Sequence, residues 1–202
     1  WSCPKLKLTP DVLDLDMPEV ERKLLDFIDD YLKKTSAKGI VLGLSGGVDS
    51  STVAALCAKA IGGSKVLGLL LFEDETRTSR DVEDAMLIAK RYKLKTETIN
   101  ITKPLKALYG SIPIFDQSDK VSNGNIKARI RMIYNYYHAN RLGKLVCGSS
   151  DKSETMMGYF TKWGDVAADI YPLMDLYKTQ VRMLARHIGI PRKISEKPSS
   201  PA

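Results

Sequence analysis

Cysteine, histidine and tryptophan are scarce in this 202-residue chain, and the scarcity closes off whole classes of chemistry. The three cysteines, Cys3, Cys57 and Cys147, are odd in number and unrelated in spacing. That fits neither a disulfide framework nor a zinc site, and it points to a reducing compartment. The two histidines, His138 and His187, form no serine-histidine or cysteine-histidine arrangement of the kind that activates a nucleophile, so no catalytic nucleophile is assigned. No run approaches the roughly 18 apolar residues of a spanning helix, and no charged-then-apolar leader opens the chain. A soluble, cytoplasmic protein without a membrane partner is expected. The Gly-Lys-Ser/Thr ending of a Walker phosphate loop is missing as well.

What remains is the composition of one globular domain, 44% hydrophobic and 27% charged, with enough apolar residues for a substantial core. The net charge of +7 suits a nucleic acid or a substrate rich in phosphates. The Lys and Arg residues are scattered among acids, which favours a solvated surface over a nucleic-acid patch. A start at Trp1 and an end on Lys197-Pro198-Ser199-Ser200-Pro201-Ala202 suggest one domain over 1–202, cut from a longer chain and lacking a C-terminal segment.

Hydrophobic periodicity alternates between two kinds. Pro18 to Lys34 carries Val20, Leu24, Leu25, Phe27, Ile28, Tyr31 and Leu32 at helical spacing. Ile40 to Leu44 is a short continuous apolar run, the pattern of a strand covered on both faces. Ser50 to Ala60 reads as helix and Lys65 to Phe72 as strand. Ser79 caps a helix to about Tyr92, with Val82, Ala85, Met86 and Ala89 on one face, and Thr96 to Ile101 follows as a strand. Asn123 to Arg141 is a long helix striped by Ile126, Ile130, Ile133, Tyr134 and Tyr137, and Lys144 to Cys147 is the fourth strand. The alternation predicts an α/β fold, a doubly wound, mostly parallel sheet with helices on both faces. Ligands of such sheets sit at the carboxyl ends of the strands, after Leu44 and after Cys147.

The segment Ser45-Gly46-Gly47-Val48-Asp49-Ser50-Ser51, led in by Gly43-Leu44, has the chemistry of a phosphate grip. Two glycines let backbone amides converge on an anion, three serines add hydroxyls, and the following helix points its positive end at the same place. Asp49 repels a phosphate unless a cation lies between them, so it predicts Mg²⁺. A plain Gly-Gly turn with a capping residue accounts for the glycines but not for the whole heptad.

This loop resembles that of the N-type ATP pyrophosphatases, which have an adenine nucleotide alpha hydrolase-like fold and leave AMP on a substrate. Four further segments narrow the resemblance: Asn125 to Met132; Gly148-Ser149-Ser150-Asp151-Lys152-Ser153-Glu154; Tyr159 to Asp165; and Asp169-Ile170-Tyr171-Pro172-Leu173 with Tyr177-Lys178-Thr179. With Lys197 to Ser200, they are similar to the NAD synthetases, from about Val20 onward. The resemblance implies a ligase that amidates deamido-NAD with ATP, Mg²⁺ and ammonia through an adenylated nicotinate carboxylate, releasing AMP and pyrophosphate. By position it implies Asp49 and Glu154 as magnesium ligands. It places ATP on Gly43, Leu44, Ser45, Gly46, Gly47, Val48, Asp49, Ser50, Ser149, Lys178 and Ser200, with Ser149 standing where the family usually has Thr. Arg129, Lys162 and Asp169 match deamido-NAD positions, joined by Asn125 and Phe160. It also implies a homodimer, expected to use the 123–141 helix.

Each residue has a plainer reading too: Arg129 and Arg131 as surface charges, Lys162 as a lysine lying along aromatic rings, Asp169 as a loop cap, and Cys57 and Cys147 as small apolar residues. The chain departs from the family after the second strand, where Arg77 and Arg80 compete for one ATP contact, and at Ser199-Ser200-Pro201. Two other readings of the loop stand beside the ligase. A tRNA-modifying pyrophosphatase fits the basic charge but lacks a second cysteine near Cys57 or Cys147. A nucleotide sensor has no need of paired metal carboxylates.

Overall fold

The computed structural model describes residues 9–74 and 79–198. Among them, four strands form one parallel sheet in the order β3-β2-β1-β4: β1 (Ile40–Gly43), β2 (Val66–Phe72), β3 (Lys95–Asn100) and β4 (Leu145–Val146). The helices are α1 (Met17–Thr35), α2 (Val48–Ile61), α3 (Ser79–Arg91), α4 (Thr102–Ser111), α5 (Lys120–Leu142), α6 (Lys152–Met157), α7 (Lys178–His187) and α8 (Arg192–Ser195). None of the described helices is long and apolar enough to cross a membrane.

The strand registers follow from alternation. Ile40 and Leu42 of β1, with Val66 and Leu70 of β2, face α1, α2, α3 and α7 in the main core, while Val41, Leu67, Leu69 and Val146 face Ala139 of α5. Helices therefore cover both faces, as a sheet of continuous apolar runs requires. The chain winds outward from β1 to β3 and then crosses to β4 on the other side. The order reverses between β1 and β4, and the crevice of a doubly wound sheet opens at such a reversal.

The expected elements are present, with local differences. Helix α5 begins at Lys120 rather than Asn123 because Asp119 Oδ1 accepts the Ser122 amide at 2.9 Å and caps it there. Ser79, expected as a cap, is already the first helical residue of α3. The striping of α5 splits: Ile130 is buried with Ile126 and Tyr134 packed beside it, whereas Ile133 and Tyr137 are 58% and 66% exposed. Only one side of the helix meets the sheet, so the other two project outward. Helices α4, α6, α7 and α8 add to the expected elements; of these, α7 buries Val181, Leu184 and Ala185 at helical spacing. Cys57 and Cys147 are buried as small core residues, but the expectation that neither has a second cysteine near it fails: 90 positions apart in the chain, their sulfurs lie 3.8 Å from each other.

Candidate active site

The loop between β1 and α2 sits at the β1/β4 reversal, with Gly47 as the N-cap of α2. Gly46 has φ +81°, and a Cβ there would lie 2.3 Å from the Asp81 carbonyl oxygen. Only glycine passes α3 this closely in that conformation. The hydroxyls of Ser45 and Ser50 are 3.0 Å apart. The Ser45 amide donates to Ser50 Oγ and the Gly47 amide to Ser45 Oγ, each at 3.3 Å. The serines thus accept from the amides that the loop would turn toward phosphate oxygens. Behind the loop, Lys197 Nζ lies 2.5 Å from Asp81 Oδ1, 3.3 Å from the buried Asp84 and 3.5 Å from the Gly46 carbonyl. The chain beyond α8 is therefore tied to the loop.

Lys178, first residue of α7, is the hub of the charged cluster. Its Nζ lies 2.7 Å from Asp49 Oδ2, 2.9 Å from Asp151 Oδ2 and 3.0 Å from Glu154 Oε1. Burial works against its charge, but Asp49, Asp151 and Glu154 together hold the ammonium above its ordinary pKa. Burial in turn pushes the Asp49 and Glu154 carboxyls up, with Lys178 opposing it. Asp49 Oδ1 is buried without a hydrogen-bond partner among the described residues. Three carboxylates against one ammonium leave this pocket short of positive charge, and a buried carboxylate oxygen without a donor is costly.

Those features fit a divalent cation. Among the described residues no three His, Cys, Asp or Glu side chains are arranged to hold a metal. Magnesium bound with a nucleotide needs only one or two carboxylates, with phosphate oxygens and waters completing its shell. Asp49, with its unengaged oxygen, and Glu154 are the two that would supply them.

A second group of predicted residues gathers between α5 and the turn after α6. Arg129 Nε and Nη2 donate to the Lys162 carbonyl at 3.3 and 3.2 Å. Thr161 Oγ1 donates to Asn125 Oδ1 at 2.7 Å, and the Thr161 amide to Asp165 Oδ1 at 2.6 Å. Lys162 Nζ lies 5.6 Å from the Trp163 ring centre, and Phe160 is exposed. Asp169 accepts the Val146 amide at 2.7 Å and the Tyr136 hydroxyl at 3.2 Å, so it caps the end of β4. Arg131 is no surface charge: it lies 3.6 Å from the buried Glu73, which also pairs with Lys127 at 2.8 Å.

The structure thus brings Gly43 to Ser50, Glu154 and Lys178 to one place, with half-buried Ser149 just after β4. Asn125 and Arg129 of α5 lie elsewhere, against the turn after α6 that carries Phe160 and Lys162. Ser200 and Arg77 lie outside the described residues, and Arg80 is exposed on α3. Sequence reading missed Asp151 and Lys197 as members of the site. Asp151 had a legible signal, since Asp151-Lys152-Ser153-Glu154 is a capping box, and both of its reciprocal bonds are made.

A model of the NAD synthase family matches residues 20–202. The NH(3)-dependent NAD(+) synthetase of Aeropyrum pernix is 46% identical over 193 residues, covering 95% of this chain and 68% of that protein. The enzyme of the same name from Methanocaldococcus jannaschii is 47% identical over 186 residues, covering 91% of this chain and 71% of that protein. Among solved structures, the NMN synthetase of Francisella tularensis superposes with a TM-score of 0.86 at 36% identity, covering 93% of this chain and 76% of that one. The NH3-dependent NAD synthetase of Campylobacter jejuni, in complex with the nitrate ion, gives 0.84 at 34%, covering 91% and 78%.

Proposed function

Because the chain belongs to the NAD synthase family, we propose that it amidates the nicotinate carboxylate of deamido-NAD, consuming ATP and ammonia and yielding NAD, AMP and pyrophosphate. The observation that carries this reading is the convergence of Asp49, Glu154 and Lys178 beside the Gly46-Gly47 loop at the β1/β4 reversal.

A carboxylate is not attacked by ammonia until one of its oxygens becomes a leaving group. The nicotinate oxygen attacks the α-phosphorus of ATP, and the bond to pyrophosphate breaks. Ammonia then attacks the carboxyl carbon, and the bond to AMP breaks. Neither step needs a protein nucleophile; positioning and charge stabilisation do the work. The loop from Gly43 to Ser50, with Ser149, Lys178 and Ser200, holds the nucleotide through backbone amides, hydroxyls and the ammonium. Asp49 and Glu154 hold Mg²⁺, which when bound offsets the charge developing on the departing pyrophosphate. Asn125, Arg129, Phe160, Lys162 and Asp169 form the deamido-NAD side. Free ammonia is the nitrogen donor, and the cytoplasm, with its pools of these nucleotides, is the place of action.

Two copies of the chain pair through α5, whose Ile133 and Tyr137 are apolar and exposed. Light scattering should report a dimer that Ile133→Asp dissociates; a monomeric wild type rejects the pairing.

The deciding assay measures NAD and AMP together. Equimolar formation, with an absolute need for ATP, Mg²⁺, ammonium and deamido-NAD, is expected. Absence of both products at saturating substrates rejects the reading. Faster turnover of the corresponding mononucleotide acid would move the substrate from dinucleotide to mononucleotide.

A further inference from the structure

The carboxylate cluster has a third member beyond the two assigned to the metal. Asp151 is fully buried. Its Oδ1 accepts the Glu154 amide at 2.9 Å and caps α6, its Oδ2 lies 2.9 Å from Lys178 Nζ, and its carbonyl accepts Thr155 Oγ1 at 2.9 Å. The backbones on either side are clamped together: the Lys178 amide donates to Ser153 Oγ at 3.0 Å, and the Lys152 amide to the Leu176 carbonyl at 2.9 Å. The starts of α6 and α7 are therefore held in register, with the Asp151 carboxylate facing the lysine from within.

Asp151 differs from its two acidic neighbours in burial: its side chain is wholly enclosed, whereas those of Asp49 and Glu154 are 22% and 31% exposed and can turn toward a ligand. One of its oxygens is committed to a backbone amide, and the other faces the ammonium as an ion pair with no hydrogen bond of its own. When Asp49 and Glu154 turn to a cation, Lys178 loses two of its three carboxylates. The one that stays is Asp151.

We propose that Asp151 is a positioning residue that tethers the Lys178 ammonium while Asp49 and Glu154 are engaged with the metal, so that the lysine stays aimed at the nucleotide phosphates. An untethered lysine would compete with the metal for Asp49 and Glu154, and would lose side-chain entropy on reaching the phosphates alone. The inference rests on the ATP-binding reading above.

The test is a double-mutant cycle on MgATP binding, measured by calorimetry on the whole chain. Asparagine caps a helix as well as aspartate does, and removing a buried charge relieves desolvation. Asp151→Asn should therefore fold with a Tm no lower than wild type. Its amide nitrogen repels rather than attracts the Lys178 ammonium, so the Kd and KM for MgATP should rise about 10-fold, as for the loss of a buried charge-paired contact. The KM for deamido-NAD should stay within about 2-fold. In a Lys178→Met background the same change should cost less than about 2-fold, because the contact through which Asp151 acts is already gone. Wild-type affinity in Asp151→Asn, or the same 10-fold loss in both backgrounds, overturns the proposal. Should the asparagine variant fail to fold, Asp151→Ser decides, since serine keeps a capping oxygen but stops short of the lysine. Failure of the wild type to bind MgATP rejects the ATP reading itself, and this inference with it.

Discussion

The two halves of the site are built differently. On the side proposed for the phosphates, Asp49, Asp151, Glu154 and Lys178 come from three separate segments and meet within 3.0 Å, largely out of solvent. On the other side, the turn after α6 shows Tyr159, Phe160 and Trp163 to solvent, and its polar links run mostly to backbone atoms. Charges removed from water must be paired, so their partners are fixed before any ligand arrives. Recognition by aromatic and cationic surface residues demands no such pairing, and gains its strength only when a partner covers it. The side proposed for the phosphates is thus preorganised, and the side proposed for deamido-NAD would gain its energy on burial.

Four experiments break or sharpen that contrast. Gly46→Ala carries the largest expected effect, because its Cβ would overlap the Asp81 carbonyl in a left-handed conformation. A loss of about 2–4 kcal/mol of stability and of measurable NAD formation is expected, and denaturant unfolding with the product assay checks both. Next, Asp49→Asn should lower kcat/KM for ATP by about 100-fold or more, as for a lost transition-state electrostatic contact. A Mg²⁺ titration should show a raised requirement; unchanged kinetics would remove Asp49 from the site. Lys162→Ala probes the exposed side. It should raise the KM for deamido-NAD about 10-fold with little change in that for ATP, and equal losses for both would show that the two halves are not separable.

The smallest effect is in pH. Burial holds the Asp49 and Glu154 carboxyls above their ordinary values, against the pull of Lys178. With a raised folded pKa, the folded state binds protons more tightly than the unfolded one. Stability from these groups therefore rises as pH falls from neutral through the raised values, levelling off below the ordinary carboxylate range. Asp49→Asn should accordingly melt about 2–4 °C higher than wild type at neutral pH, with the gap closing on acidification. MgATP binding should weaken over the same window, because a metal held as proposed would need both carboxylates ionised. A gap that widens in acid would contradict the burial argument.

The heptad and the strand-helix alternation were legible because their causes are local. Gly46 and Gly47 answer to backbone sterics, and the apolar runs of β1 and β2 answer to burial on two faces. Asp151 was half legible: its capping box is a four-residue pattern, but its contact with Lys178 spans 27 positions in the chain. Lys197 was illegible as a site residue. Nothing near it in sequence announces that Asp81, Asp84 and the Gly46 carbonyl will surround it.

The striping of α5 shows the same boundary from another side. Period alone puts Ile133 and Tyr137 on an apolar face with Ile130, and only packing against the sheet decides that Ile130 goes in and the others stay out. By itself, the sequence determined the order of the four strands and of α1, α2, α3 and α5, the phosphate loop and the resemblance to the family. The tertiary structure decided which carboxylates share the Lys178 ammonium and which of their oxygens is left for a cation. Coulomb pairing in a buried pocket depends on distance through space, and the fold sets that distance by bringing the ends of β1 and β4 together.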